Sequence, residues 1–263
     1  MLEPFKNSKM NVDINEIIPI AIAAGEEILK IYDQDFEVFE KEDESPLTMA
    51  DKNANDVIIK ALEDLYPDIP YISEEIKQMD YSERKNWEYC WIIDPLDGTK
   101  EFIKKNGEFT VNIALVHNGE PILGVVYVPV TDDIYIGGKG NGAFKIDVNG
   151  EVSQLIKQEN TTNKIKVIAS RSHLSKEVEK YVENLKKEGK EVEFVSVGSS
   201  LKFCLVAEGK ADIYPRLAPT MEWDTAAAHI VCTEAGFEVQ DFKTKLTLRY
   251  NKEKLLNPWF IVF

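Results

Sequence analysis

The stretch Trp91-Ile92-Ile93-Asp94-Pro95-Leu96-Asp97-Gly98-Thr99-Lys100-Glu101-Phe102 decides how the chain is read. An apolar run with the residue types of a buried strand ends in two aspartates separated by a proline and a leucine. Buried carboxylates are costly unless they are paired, protonated or bound to a metal. Magnesium, a hard cation taking one or two carboxylates with water and phosphate oxygens, would remove that cost. On this reading Asp94 sits at the strand tip and Pro95 turns the chain so that Asp97 converges on it. The Leu96 carbonyl can face the same place. Gly98 lets the backbone approach a ligand, the N–H groups of Gly98 and Thr99 suit a phosphate, and the Thr99 hydroxyl can orient water. Asp-Pro-x-Asp-Gly is also good turn chemistry, with both aspartates bonding to nearby backbone, so this segment alone leaves both readings open.

Four other acids stand at element ends. Glu74 and Glu75 end the short strand expected in Asp68-Ile69-Pro70-Tyr71-Ile72-Ser73-Glu74-Glu75 and could reach the same sheet edge, or could simply be a solvated strand end. Asp224, in Glu-Trp-Asp-Thr-Ala-Ala-Ala, precedes a small-residue helix that it could cap. Thr48 and Asp51 have capping-box spacing. Acids at so many separate element ends are hard to explain as independent caps.

Around these segments the 263 residues, 44% hydrophobic, suffice for a sizeable core. A helix is expected over 13–32, with Ile14, Ile17, Ile18, Ala21, Ile28 and Tyr32 on one face behind an Asp13 cap and Pro19 kinking or trimming its first turns. Residues 49–65 repeat the pattern through Ala50, Ala54, Val57, Ala61 and Leu65. Alternating strands at 108–116, 121–130, 133–138 and 142–148, with the turn His117-Asn118-Gly119, predict an antiparallel meander carrying two helices. The glycines from Gly137 to Gly142 lack dinucleotide-fingerprint spacing and read as a hairpin turn. Beyond a Lys/Glu-rich seam at 156–164, strands and helices alternate, which predicts a layered α/β lobe ending in the strand Trp259–Phe263. The division is 1–158 and 159–263, together one catalytic unit.

With 31 basic and 46 acidic side chains the net charge is −15, which repels nucleic-acid polymers. An anionic ligand would need cations as mediators. Cys90, Cys204 and Cys232 are odd in number and without C-x-x-C spacing, so reduced buried thiols are expected. No apolar stretch has membrane-spanning length and the first residues lack a signal-peptide layout; a cytoplasmic protein is expected, with peripheral association with the inner membrane left open.

Taken in order, Pro46-Leu47-Thr48-Met49-Ala50-Asp51, Ser73-Glu74-Glu75, Asp94-Pro95-Leu96-Asp97-Gly98-Thr99 and Trp223-Asp224-Thr225-Ala226-Ala227 resemble the inositol monophosphatase-like superfamily of metal-dependent, lithium-sensitive phosphatases. Residues 94–116, 198–216 and 256–263 resemble its 3′(2′),5′-bisphosphate nucleotidase branch. The resemblance implies a layered α/β/α/β/α sandwich. It also implies that Glu74, Asp94, the Leu96 carbonyl, Asp97 and Asp224 hold two or three Mg²⁺ ions and that Asp51 and Thr99 activate water. By the same resemblance Gly98 and Thr99 cradle the scissile phosphate, and Ser170, His173, Gly198 and Lys202 contact the nucleotide. Arg216 would hold the second phosphate. Arg171 could add charge there or be a surface cation, and His173 could instead cap the helix starting near Ser175.

The implied reaction is in-line hydrolysis of the 3′-phosphate of 3′-phosphoadenosine 5′-phosphate to AMP and phosphate, with 3′-phosphoadenylyl sulfate as a further substrate. An inositol- or sugar-phosphate phosphatase of the same superfamily and a non-catalytic metal- or nucleotide-binding protein are the competing readings. The partner is a small bisphosphorylated nucleotide; no protein partner is implied beyond a monomer or homodimer.

Overall fold

The computed structural model describes residues 12–34, 46–169 and 175–263, with backbone alone at Pro46 and Leu47. Ser170, Arg171 and His173 lie outside the described residues.

Helix α1 spans Ile14–Tyr32, its first turn capped by the Asp13 carboxylate, which accepts from the Asn15 N–H at 2.9 Å. It runs through Pro19 in one piece from Ile14, so the first turns are not trimmed as the alternative expected. Pro19 is exposed, so water can satisfy the backbone group that its ring leaves unpaired. Ile14, Ile17, Ala21 and Ile28 are buried as expected, whereas Ile18 and Tyr32 are only partly so. Helix α2, Pro46–Leu65, buries Ala50, Ala54, Ile58 and Leu62 and leaves Leu65 46% exposed. The expected stripe through Val57 and Leu65 is corrected to this i, i+4 row. Because α2 begins at Pro46, Thr48 and Asp51 lie inside it and are not a capping pair.

A seven-stranded sheet follows: β1 (Tyr71–Ser73), then α3 (Tyr81–Arg84), β2 (Tyr89–Asp97), α4 (Thr99–Ile103), β3 (Thr110–His117), β4 (Glu120–Val128), β5 (Asp133–Gly138), β6 (Gly142–Ile146) and β7 (Val152–Leu155), ordered as in the chain. From β2 to β7 the pairing is antiparallel as expected. The edge strand β1 is parallel to β2, with Ser73 beside Ile93. The 15 residues between them, α3 included, return the chain to the same end of the sheet, as a parallel pairing requires. Asn118 and Gly119 both have positive φ at the β3–β4 turn, the primed geometry that matches strand twist.

The remaining elements are β8 (Lys164–Ile168), α5 (Lys176–Lys187), β9 (Glu191–Val195), α6 (Leu201–Ala207), β10 (Tyr214–Arg216), α7 (Ala226–Glu234), β11 (Val239–Asp241) and β12 (Phe260–Val262). Parallel β8–β9 and antiparallel β10–β12–β11 are linked by a bridge from Val167 to Ile213. α1 and α2 cover one face of the large sheet and α7 the other; α6 and α7 lie between the large sheet and β10–β11, and α5 packs on β9. The result is the expected five-layered α/β/α/β/α sandwich. Because β2 and β3 are covered on both faces, they read as nearly continuous apolar runs, buried except at the end residues Tyr89, Asp97 and His117. Glycines let α7 sit close: a Cβ at Gly124 would lie 2.3 Å from the Ala227 carbonyl oxygen, and one at Gly137 2.8 Å from the Val231 Cα.

Candidate active site

The end of β2 carries a register shift. Asp94 pairs with Asn112 but Asp97 pairs with Thr110, so Pro95 and Leu96 together oppose the single residue Val111. In a regular strand residues three apart face opposite sides. The extra residue of this bulge turns both aspartates to one face. The same face of β3 presents Asn112 and Thr110, whose side chains bond the Ser200 hydroxyl at 2.8 Å each. This buried triad fixes the start of α6, and the Ser200 N–H in turn stabilises the Asp97 carboxylate.

Glu74 follows β1 at the same sheet end, its N–H donating to the Ile93 carbonyl at 3.3 Å. Asp224, two residues before α7, accepts from the Met221 N–H at 2.9 Å. Among the described residues Glu74, Asp94 and Asp224 form a group whose ligand oxygens all lie within 4.8 Å of one another. Asp51 on α2 joins from the side. Its neighbour one turn on, Asn55, accepts a 2.7 Å bond from the Ser73 hydroxyl in the interior, which ties α2 to the residue before Glu74.

Electrostatics reflects this crowding. Burial, then Asp97, Glu74, Asp224 and Asp51, push the Asp94 carboxyl well above the usual range. Burial and Asp224 raise Asp97 to about 7 against the opposing pull of Lys202. Burial, Asp224 and Glu75 raise Glu74 to about 7, and burial with Glu75 and Glu74 raises Asp51 to about 8. Asp224 is raised by burial, with the Met221 N–H, Arg216 and Lys202 opposing.

These residues fit a divalent cation. Asp94 Oδ1 accepts from the Leu96 N–H at 3.1 Å, but Oδ2 is buried without a hydrogen-bond partner. An all-oxygen set of mutually repelling carboxylates with an orphaned buried oxygen is what a hard cation relieves. Leu96 itself is buried within the bulge.

Gly98 adopts φ +102° just before α4, and a Cβ there would stand 3.1 Å from the Glu108 carbonyl oxygen and 3.2 Å from the Ser199 Cβ. Thr99 opens α4, a helix anchored by Phe102, whose ring packs against Tyr32 and Phe109. The helices α2 and α4, which carry Asp51 and Thr99, are in contact.

Next to the acids lies a 250 Å³ cavity lined by Asp97, Gly98, Lys202, Arg216, Thr220 and Asp224 among others. Lys202, Arg216 and Tyr214 also line an adjoining 560 Å³ cleft that reaches Gly198, Lys104 and Leu217. Lys202 donates to the Ser199 carbonyl at 3.0 Å. Arg216 donates to the Pro219 carbonyl at 2.9 Å while its Nε is buried and unpaired. Gly198 donates its N–H to Glu108 at 2.8 Å and sits so close to Glu101 that a Cβ would come within 2.4 Å of that side chain. The site therefore joins an acidic end to a cationic cleft.

A layered sandwich with an acid cluster at the β2 bulge defines a class. The profile of the inositol monophosphatase family matches residues 10–259, and the chain belongs to that family. At 45% identity over 251 residues it is similar to the 3′(2′),5′-bisphosphate nucleotidase CysQ of Escherichia coli (strain K12), covering 95% of this chain and 98% of that one. The crystal structure of CysQ from Bacteroides thetaiotaomicron, described as a bacterial member of the inositol monophosphatase family, superposes with TM-score 0.86 at 48% identity over 95% of this chain and 96% of that one. Inositol monophosphatase-II from Staphylococcus aureus MSSA476, 18% identical over 95% of this chain and 89% of that one with TM-score 0.75, shares the fold.

Proposed function

We propose that the chain is a 3′(2′),5′-bisphosphate nucleotidase, a phosphoric monoester hydrolase that releases the 3′-phosphate of 3′-phosphoadenosine 5′-phosphate to leave AMP, and that acts also on 3′-phosphoadenylyl sulfate in sulfur assimilation. The observation that carries it is the convergence of Glu74, Asp94 and Asp224 within 4.8 Å beside a cleft walled by Lys202 and Arg216. An acidic end alone would repel a phosphate and a cationic cleft alone would bind it without cleaving it. Together they suit a bisphosphorylated substrate whose two phosphates are handled differently.

Glu74, Asp94, the Leu96 carbonyl, Asp97 and Asp224 would hold two or three Mg²⁺ ions. When bound, magnesium supplies positive charge against the phosphate and lowers the pKa of water. The chain supplies the rest. Asp51 would accept from the Thr99 hydroxyl and Thr99 would orient the attacking water in line with the leaving oxygen. The Gly98 and Thr99 N–H groups would point the scissile phosphate, and the φ of +102° that sets the Gly98 backbone there suits glycine. Lys202 and Arg216 would place the second phosphate, the Arg216 fork giving directional donors, and Gly198 would line the nucleotide's cleft. Ser170 and His173 extend the nucleotide contacts. The lobes 1–158 and 159–263 act as one catalytic unit in the cytoplasm; among the described residues no helix is long and apolar enough to cross a membrane.

A phosphate-release panel tests the proposal. With Mg²⁺, 3′-phosphoadenosine 5′-phosphate should be hydrolysed far faster than inositol monophosphate or fructose bisphosphate, and chelation should abolish release. Faster turnover of inositol monophosphate would make it an inositol-phosphate enzyme. Tight nucleotide binding with no release would make it a binding protein.

A further inference from the structure

The turn carrying Asp224, Thr220–Thr225, has little secondary structure of its own beyond a bridge from Met221 to Leu256. It is held from outside by the segment 249–257. Asn257, 5% exposed, donates from Nδ2 to the Met221 carbonyl at 2.7 Å and to the Thr225 hydroxyl at 3.0 Å, and its N–H donates to the Thr220 carbonyl at 2.9 Å. Three bonds from one residue thus straddle Asp224 on both sides. Glu222, fully buried, accepts from the Asn251 N–H at 2.5 Å and from the Lys252 N–H at 3.1 Å and ammonium at 2.5 Å.

The same segment is gripped from its other side. Buried Arg84 donates to Asn251 Oδ1 at 2.6 Å and to the Lys252 and Glu253 carbonyls at 3.3 Å. Its Nε donates to the Met79 carbonyl at 2.9 Å, in the loop that begins at Glu74, and the Gln78 amide folds back onto the Ser73 and Ile76 carbonyls. A continuous path of hydrogen bonds therefore connects the segment of Glu74 to the turn of Asp224, although 150 residues separate them. An ion pair with one buried partner, such as Glu222 with the 29%-exposed Lys252, is a poor way to gain stability, because apolar residues of the same volume do as well or better. Its directional bonds fix geometry instead.

We propose that Asn257, Glu222 and Lys252 are positioning residues: they set where Asp224 stands relative to Glu74 and thereby set the affinity of the acid cluster for a divalent cation. The proposal rests on the reading of Asp224 and Glu74 as cation ligands. None of the three touches the substrate; each acts through the turn.

The test is calorimetric titration of the chelator-stripped full chain with Mg²⁺ and Mn²⁺, read together with the cation-induced rise in Tm. Asn257→Ala should weaken cation binding about ten- to a hundredfold, as loss of the partners that orient metal ligands does, while kcat at saturating cation changes less. Val116→Ala, a cavity in the buried far end of β3, should lower Tm yet leave cation affinity at the wild-type value. Asn257→Ala, folded by circular dichroism and binding cation as tightly as wild type, overturns the proposal. If that variant does not fold, Lys252→Met is read in its place with the same two outcomes. If the wild-type chain binds no divalent cation, the reading of the acids falls and this inference with it.

Discussion

Asp94 and Asp97 lie three apart in the chain but face strand partners only two apart, Asn112 and Thr110. The bulge between them is what turns an acidic strand end into a site, because it puts both carboxylates on the face that Glu74 and Asp224 also reach. The energetic consequence is a cluster of acids that oppose one another's ionisation, a state that cation binding relieves.

Asp94→Asn and Asp224→Asn should each lower kcat by more than about a hundredfold, exceeding the loss typical of residues that merely orient ligands. Circular dichroism should show both variants folded, because each removes a repelling charge. Rates within a few-fold of wild type in steady-state phosphate release would contradict the assignment of either residue.

The metal-free protein should lose stability as pH rises. Folding raises Asp51 from 3.8 to about 8, Asp97 from 3.8 to about 7 and Glu74 from 4.5 to about 7. The folded state thus binds these protons more tightly than the unfolded chain does, so their contribution is complete below about pH 4 and lost as pH climbs through about 7 to 8. Thermal melts in chelator should show Tm falling across this window. Added Mg²⁺ should counter the fall and release protons on binding, seen as a dependence of the calorimetric heat on buffer ionisation enthalpy.

Arg216→Gln should raise KM for the bisphosphorylated nucleotide about ten- to a hundredfold, the size expected for one charge-assisted bond worth about 1.5–3 kcal/mol. The KM of a nucleotide lacking the second phosphate should barely move. Equal effects on both substrates would place Arg216 at the scissile phosphate instead.

Gly124→Ala should destabilise the fold by about 1–3 kcal/mol in urea unfolding, the usual cost of overpacking, because its Cβ would meet the Ala227 carbonyl at 2.3 Å and push α7 off the sheet. Gly98→Ala should show a different signature: a smaller loss of stability with a large loss of kcat/KM, since φ +102° and the approach to Ser199 lie at the site itself.

Much of this was legible in the residues alone. The acids at element ends, the meander and the strand–helix alternation depend on local pattern, and local pattern survives folding. Partnerships across long separations do not announce themselves: Ser200 with Thr110 and Asn112, Asn55 with Ser73, Asn257 with Met221 and Thr225, and Arg84 with the 251–253 loop all join segments that only the topology brings together. A faint signal existed at Asn112, a lone amide inside the apolar run of β3. On α2 the stripe was misread by one residue, because Val57 and Ile58 are both apolar and periodicity alone does not choose between them. The parallel placement of β1 was equally invisible, because the polar connector 76–86 gives no sign of the side on which it returns.

The most direct test of the account is anomalous scattering from crystals grown with Mn²⁺. Anomalous peaks should appear among the carboxylates of Glu74, Asp94, Asp97 and Asp224, the residues that would hold the ions. Crystals soaked at saturating Mn²⁺ with no anomalous density between these carboxylates would contradict it.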